Sequence, residues 1–351
     1  MARLPALLKI LANQHLTDQA TNVSPAILAK IGHMHHTNAQ HPLGILKNKI
    51  STFLNSRDSF KTVDSLDPVV SVKQNFDDLL IAQDHPGRAQ TDTYYINREM
   101  VLRTHTSAHQ SAVLKSKMAR AYLLTADVFR RDEIDPTHYP VFHQMEGIRL
   151  FYPNEVEKEF KNHMPQPLEL SSDNLPQSVH SRQQAEYVGN HLRSMLTDLM
   201  KHLFHADPNL QIRWVEAYFP FTRPSWEVEV FFNGKWLELG GCGVIEQEIL
   251  NQTGNADSIG WAFGLGLERI AMVLFDIPDI RLFWSTDKRF LDQFKSKQMI
   301  RFMPFSKYPS CYKDVSFWCP DSFNENDFAQ IVRDCAGDMA EQVECVYYIL
   351  I

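Results

Sequence analysis

Cysteine is scarce: five residues in 351 (Cys242, Cys311, Cys319, Cys335 and Cys345), an odd number with no CxxC pair. This excludes a disulfide framework, argues against a zinc site, and points to free thiols in a reducing compartment. No window approaches the roughly 18 to 20 consecutive apolar residues that a membrane-spanning helix needs. Positive charge is not in excess either. The 35 Lys and Arg against 42 Asp and Glu leave a net charge of −7, which excludes a uniformly basic nucleic-acid binder but leaves room for a local basic patch. There is no internal repeat, no low-complexity tract, no P-loop and no complete GxGxxG, so solenoids and the commonest nucleotide-binding fingerprints are excluded. What remains is an ordinary globular composition, 44% apolar and 22% charged, long enough for two domains.

Charge is unevenly distributed. Residues 1–60 hold six basic residues (Arg3, Lys9, Lys30, Lys47, Lys49, Arg57) against Asp18 and Asp58. The opening MARLPALLKILANQ is apolar and basic with no acid, a pattern shared by organelle targeting segments and by surface helices. His33, His35, His36 and His41 lack a metal-ligand spacing and read as a solvated loop.

Residues to about 60 read as helical, and 65–290 as mixed. From Ser181 to Phe204, Ala185, Val188, Leu192, Met195, Leu199 and Leu203 fall on one helical face, with Ser181 and Gln184 spaced as a capping box. VEVFFNGKWLEL (228–239) reads as a hairpin turning at Asn233-Gly234. It leads into Gly240, Gly241, Cys242 and Gly243, where backbone can approach a ligand closely. In WAFGLGLERIAMVLF (261–275), glycines precede a buried helix whose start can bind phosphate. Toward the C-terminus, Tyr312–Cys319 and Val343–Ile351 read as strands and Asp327–Cys335 as a helix.

The most informative segment is FRRDEIDPTHYPVFHQMEG (129–147). Phe129-Arg130 closes one strand-like run, Val141–Glu146 opens the next, and Asp135-Pro136 marks the loop. The hairpin is expected to set Arg130 beside Gln144 and Glu146. A guanidinium fork suits a phosphate, Glu146 suits an amine, and an Arg–Glu structural pair is the bland alternative. HTSAHQ (105–110) gathers hydroxyls and imidazoles. Arg269, inside an apolar helix, needs an anionic partner, either a structural carboxylate or a phosphate.

Together these segments resemble a known family. FRRDEIDPTHYPVFHQMEG resembles the second signature of class II aminoacyl-tRNA synthetases in its phenylalanyl form, and GLGLERIAM (264–272) the third. HTSAHQ, YFPFTRPSWEVEV (218–230) and WLELGGCG (236–243) resemble phenylalanyl-tRNA synthetase catalytic subunits. SKYPSCYKDVSFWCP (306–320) resembles the start of a ferredoxin-like anticodon-binding domain. Both modules on one short chain are similar to the single-chain mitochondrial members.

The resemblance implies an α+β fold, an antiparallel sheet flanked by helices plus a partial ferredoxin-like domain. The expected divisions are an N-terminal extension (1–64), a catalytic domain (65–290), a linker (291–306) and a partial anticodon-binding domain (307–351). That last part, reduced to βαβ, would leave an open sheet edge. The resemblance also implies ATP and Mg2+, phenylalanine and tRNA(Phe) as partners, no membrane, and a location in the mitochondrial matrix. The lack of a long N-terminal coiled coil favours a monomer. By motif position, Arg130 and Arg269 hold the phosphates with His138, Thr137 and Tyr139 nearby. Phe142 stacks on adenine and Glu238 helps place magnesium. Ser107, His109, Gln110, Gln144 and Glu146 surround the amino acid, Phe219, Phe221 and Phe263 meet its ring, and Ala262 forms the pocket floor. The competing expectations are a class II ligase for another acid and a non-catalytic RNA-binding relic.

Overall fold

Among the described residues, nine strands and five principal helices organise the fold. The strands are β1 (Lys61–Val63), β2 (Val69–Ser71), β3 (Met100–Leu102), β4 (Ala121–Phe129), β5 (Val141–Phe151), β6 (Gln211–Glu216), β7 (Thr222–Phe232), β8 (Lys235–Ile245) and β9 (Ile259–Gly266). The helices are α1 (Pro42–Arg57), α2 (Gln110–Ser116), α3 (Arg182–Leu203), α4 (Leu267–Phe275) and α5 (Glu325–Ala336). The computed structural model describes residues 16–346 except 163–166, 206, 233 and 307. The whole targeting-like stretch (1–14), Asn233 of the hairpin turn and residues 347–351 lie outside the described residues.

Seven strands form one sheet in the order β1-β4-β5-β9-β8-β7-β6. Every pairing is antiparallel except that of the edge strand β1, which runs parallel to β4. The hairpin read from the sequence forms, with Phe232 opposite Lys235. α1 packs against both α3 and α4, and α3 and α4 pack against the sheet. The expected capping box starts α3, Ser181 Oγ accepting from the Gln184 N–H and Gln184 Oε1 from the Ser181 N–H, and the predicted apolar stripe is buried. Along β5, Val141 and Met145 join this helical core. The alternate residues Phe142, Gln144 and Glu146 line a cavity on the opposite face, as the two-residue period of a strand requires.

Gly147 of β5 lies opposite Phe263 of β9. A Cβ on Gly147 would sit 2.2 Å from the Phe263 ring. Gly147→Ala is therefore expected to cost about 1–3 kcal/mol by overpacking, read as a lower thermal unfolding midpoint.

Four sequence expectations change. The 1–64 extension does not stand apart, since Leu43, Leu46, Ile50 and Leu54 of α1 are fully buried in the main core. Nor is 291–306 a free linker, since Phe294 and Phe302 are buried there too. The histidine-rich stretch is not a solvated loop. His36 and His41 are 1% exposed, His35 stacks on His41 at 4.6 Å, and His36 meets His143 at 5.3 Å. Burial lowers the pKa of His36 to about 4 and of His41 to about 3. The neutral His41 ring caps α1, accepting from the Leu43 N–H at Nδ1 while Nε2 reaches the Phe283 carbonyl at 2.9 Å.

The fourth change is C-terminal. The helix expected at 327–335 is present as α5, but Tyr312–Cys319 forms no strand, and neither do the described residues 343–346. Alternation alone misled, because a strand needs a partner and none of the described residues pairs there. α5 lies instead on the loop between β4 and β5. Arg131 pairs with Asp327 at 2.7 Å, Arg333 donates to the carbonyls of Asp132 and Glu133, and the Tyr94 hydroxyl donates to Gln330.

Candidate active site

The cavity has a volume of about 810 Å³ and opens on the face of β5, β8 and β9 away from the helical core. Its floor is a row across three strands. Gly264 of β9 lies between Glu146 of β5 and Gly241 of β8. A Cβ on Gly241 would sit 2.5 Å from the Phe219 ring, so glycine leaves the room that ring occupies. Phe219 and Phe221 stack at 5.8 Å and 21°, and Ala262 and Phe263 complete this end.

Glu146 is 1% exposed. Its Oε2 accepts from Thr106 Oγ1 at 3.0 Å and Ser107 Oγ at 2.7 Å, while Oε1 is buried without a partner. Burial pushes its pKa up to about 7, against the pull of the two hydroxyls. Gln144 accepts from the Thr106 N–H. Both amide atoms of Gln110 are buried without partners. A buried group with no partner is costly, so this cluster suits a small polar, cationic ligand with an apolar ring.

The other end of the cavity is cationic. Arg130 follows β4, donates from Nε to the Thr104 carbonyl at 2.9 Å, and lies over the Phe142 ring at 5.2 Å. Burial lowers its pKa and Arg269 adds to this, while Asp132 and Glu238 oppose it. Arg269 stands in the first turn of α4, donating to the Glu238 carbonyl at 3.2 Å and lying 3.6 Å from its carboxylate. Two guanidinium groups facing one end of a cavity suit a polyanion. Thr137, His138 and Tyr139 edge this end. Asp135 holds His138 at 2.7 Å, and Tyr139 turns its hydroxyl away to Asp338.

Each residue named from the sequence lines this cavity except His109. That ring is buried beneath, where Nε2 faces Arg103 Nη1 at 3.1 Å. Burial, reinforced by Arg103, lowers its pKa to about 3. Of the two imidazoles in HTSAHQ, the one that reaches the cavity is His105, with both ring nitrogens buried. Spacing could not separate the two histidines; the 3-10 turn Thr106–His109 turns one in and the other under. Two further readings change. Arg130 is not paired with Glu146, because the register sets Leu124 opposite Glu146 and leaves Arg130 beyond the strand end. Arg269 is not buried in its helix, its side chain being 45% exposed.

A divalent cation at Glu238 fits in charge. Glu227, whose pKa is raised by burial, is raised further by Glu238 and Glu229, so like charges gather there. Magnesium keeps several waters and takes one or two carboxylates beside substrate phosphates. Among the described residues the single group of three possible ligand side chains is Glu133, Asp135 and His138, which does not include Glu238.

The sequence comparisons agree with this geometry. Residues 27–157 and 184–294 match the model of the class II tRNA synthetase core domain (F), so the match begins well before residue 65. The chain belongs to the class II aminoacyl-tRNA synthetases. Relatives within that class include organellar enzymes. It is 47% identical to the chloroplastic/mitochondrial phenylalanine–tRNA ligase of Arabidopsis thaliana, over 94% of this chain and 72% of that one. It is 46% identical to the mitochondrial enzyme of Mus musculus, over 97% and 78%. It is 39% identical to that of Saccharomyces cerevisiae, over 93% and 81%.

Proposed function

We infer that this chain is a phenylalanine–tRNA ligase of mitochondrial translation, working in the matrix. The carrying observation is the unpartnered Glu146 oxygen beside the Phe219–Phe221 pair, with two arginines at the far end of the same cavity. An ammonium placed on Glu146, with Gln144 beside it, leaves the ring of phenylalanine against Phe219 and Phe221, whereas the Phe263 ring lies on the other face of the sheet, over Gly147. Ser107, Gln110 and His105 border the amino acid, and His109 lies beneath. Phe142 stacks on adenine beneath Arg130.

A phenylalanine carboxylate oxygen attacks the α-phosphorus of ATP. The new P–O bond forms as the bond to the β-phosphate breaks, and pyrophosphate leaves. Arg130 meets charge growing on the α-phosphate, Arg269 holds the leaving end, and His138, Thr137 and Tyr139 border the phosphates. Positioning and charge neutralisation suffice, with no acid–base residue. Magnesium at Glu238 would neutralise phosphate charge when bound. The tRNA 2′-hydroxyl then takes the aminoacyl group and AMP leaves. Anticodon recognition falls to residues 307–351, and the chain acts as a monomer. The test is ATP-dependent charging of tRNA(Phe) with labelled phenylalanine. Charged tRNA is expected, and its absence in the presence of adenylate formation would remove the second step.

Ala262 limits the room at the ring. An apolar pocket rejects an added hydroxyl only about a hundredfold unless it is too tight to admit it. Ala262→Gly is expected to raise kcat/KM for para-substituted phenylalanines; an unchanged value would place the limit elsewhere.

A further inference from the structure

One buried carboxylate has no task in the reaction above. Glu268 lies in the first turn of α4, directly before Arg269, with its side chain 2% exposed. Both oxygens serve one residue: Oε2 accepts from the His143 backbone N–H at 2.8 Å, and Oε1 meets His143 Nδ1 at 2.6 Å. The topology explains why. β9 pairs with β5 as far as Gln144 opposite Gly266, and at Leu267 the chain becomes helix. The next rung of the ladder, at His143, has no strand residue left to meet it. The Glu268 carboxylate supplies that rung.

His143 is held from behind as well. Its ring stacks on Trp284 at 5.9 Å and 27°, and lies against His36. Its Nε2 is buried with no partner, so no second hydrogen bond competes with Glu268 for the ring's orientation. The chain neighbours of this pair are Phe142 and Arg269, which face the cavity from two different elements.

We propose that Glu268 and His143 form a positioning clamp that fixes Phe142 relative to Arg269 and thereby sets the affinity for ATP. The proposal rests on the nucleotide-binding reading of Phe142 and Arg269. Neither clamp residue takes part in the chemistry; they tie the end of β5 to the start of α4 where the sheet no longer does so.

The test is pyrophosphate exchange by the full chain, with ATP and phenylalanine varied separately. Glu268→Gln keeps shape and volume but sets an N–H donor where a carboxylate oxygen stood. It is expected to raise KM for ATP about tenfold, the scale of one impaired charge-assisted hydrogen bond, with kcat and KM for phenylalanine within about twofold. His143→Asn, whose amide nitrogen can stand where Nδ1 stood and donate to Oε1, is expected to stay near the parent, and His143→Leu to behave like Glu268→Gln. The double variant Glu268→Gln/Phe142→Ala should be no weaker for ATP than Phe142→Ala alone, because coupled residues do not add. Equal shifts in both KM values, or full additivity with Phe142→Ala, would overturn the clamp. If Phe142→Ala raises KM for ATP while Glu268→Gln does not, the clamp alone fails. If Phe142→Ala has no effect, the nucleotide reading of Phe142 fails and the clamp with it.

Discussion

Glu146→Gln is expected to raise KM for phenylalanine at least about thirtyfold while making the empty protein more stable above neutral pH. Removing one partner of a buried, hydrogen-bonded charge pair costs about 2–5 kcal/mol in binding. Glu146 is such a partner, with one oxygen held by Thr106 and Ser107 and the other left for an ammonium. In the empty site burial raises its pKa from 4.5 to about 7. Below pH 7 the carboxyl is protonated and cannot pair with an amine, so affinity for phenylalanine falls about tenfold per pH unit there and levels off above. Stability runs the other way. Between pH 4.5 and 7 the folded protein holds a proton that the unfolded chain has lost, so stability declines as pH rises, by roughly 3 kcal/mol in all. Glutamine has no proton to lose. The variant should show a flat KM profile from pH 6 to 8, and at pH 8 it should melt above the parent. A profile that kept its slope would move the titrating group elsewhere.

Arg130→Ala is expected to lower kcat/KM for pyrophosphate exchange by about a hundred- to a thousandfold, the usual effect of removing a preorganised donor from developing charge. Arg130→Lys should rescue little. The guanidinium does two things at once, donating from Nε to the Thr104 carbonyl and lying over Phe142 at 5.2 Å, and an ammonium has neither the fork nor the plane. Arg269→Ala should act mainly through KM for ATP, because that side chain is half exposed and held by Glu238. Exchange by the Arg130→Ala/Arg269→Ala variant at the parent rate would remove both roles.

The parts of this molecule legible in the sequence are those where local pattern and tertiary demand agree. The α3 stripe with its capping box, the β7–β8 hairpin and the alternation of Phe142, Gln144 and Glu146 each carry their own periodicity, and each is present. The misreadings share another cause. His36 and His41 are buried by elements distant in sequence, His41 against the Phe283 carbonyl, and no local pattern encodes that. His105 and His109 differ only in which way a 3-10 turn faces them. Setting Arg130 beside Glu146 requires a hairpin register other than the one the paired strands adopt, with Leu124 opposite Glu146. Tyr312–Cys319 alternates like a strand but has no neighbour to pair with among the described residues. The Glu268–His143 pair left no signal, because it arises where a strand ends and a helix begins against another strand.

The central claim is that one cavity holds phenylalanine at Glu146 and ATP at Arg130 and Arg269 in a productive arrangement. Exchange of labelled pyrophosphate into ATP tests it most directly, with each amino acid supplied in turn and no tRNA present. The account predicts exchange that depends on phenylalanine, is slight with tyrosine, and is lost in Arg130→Ala. Exchange driven by a different amino acid, or none with phenylalanine by the folded protein, would contradict it.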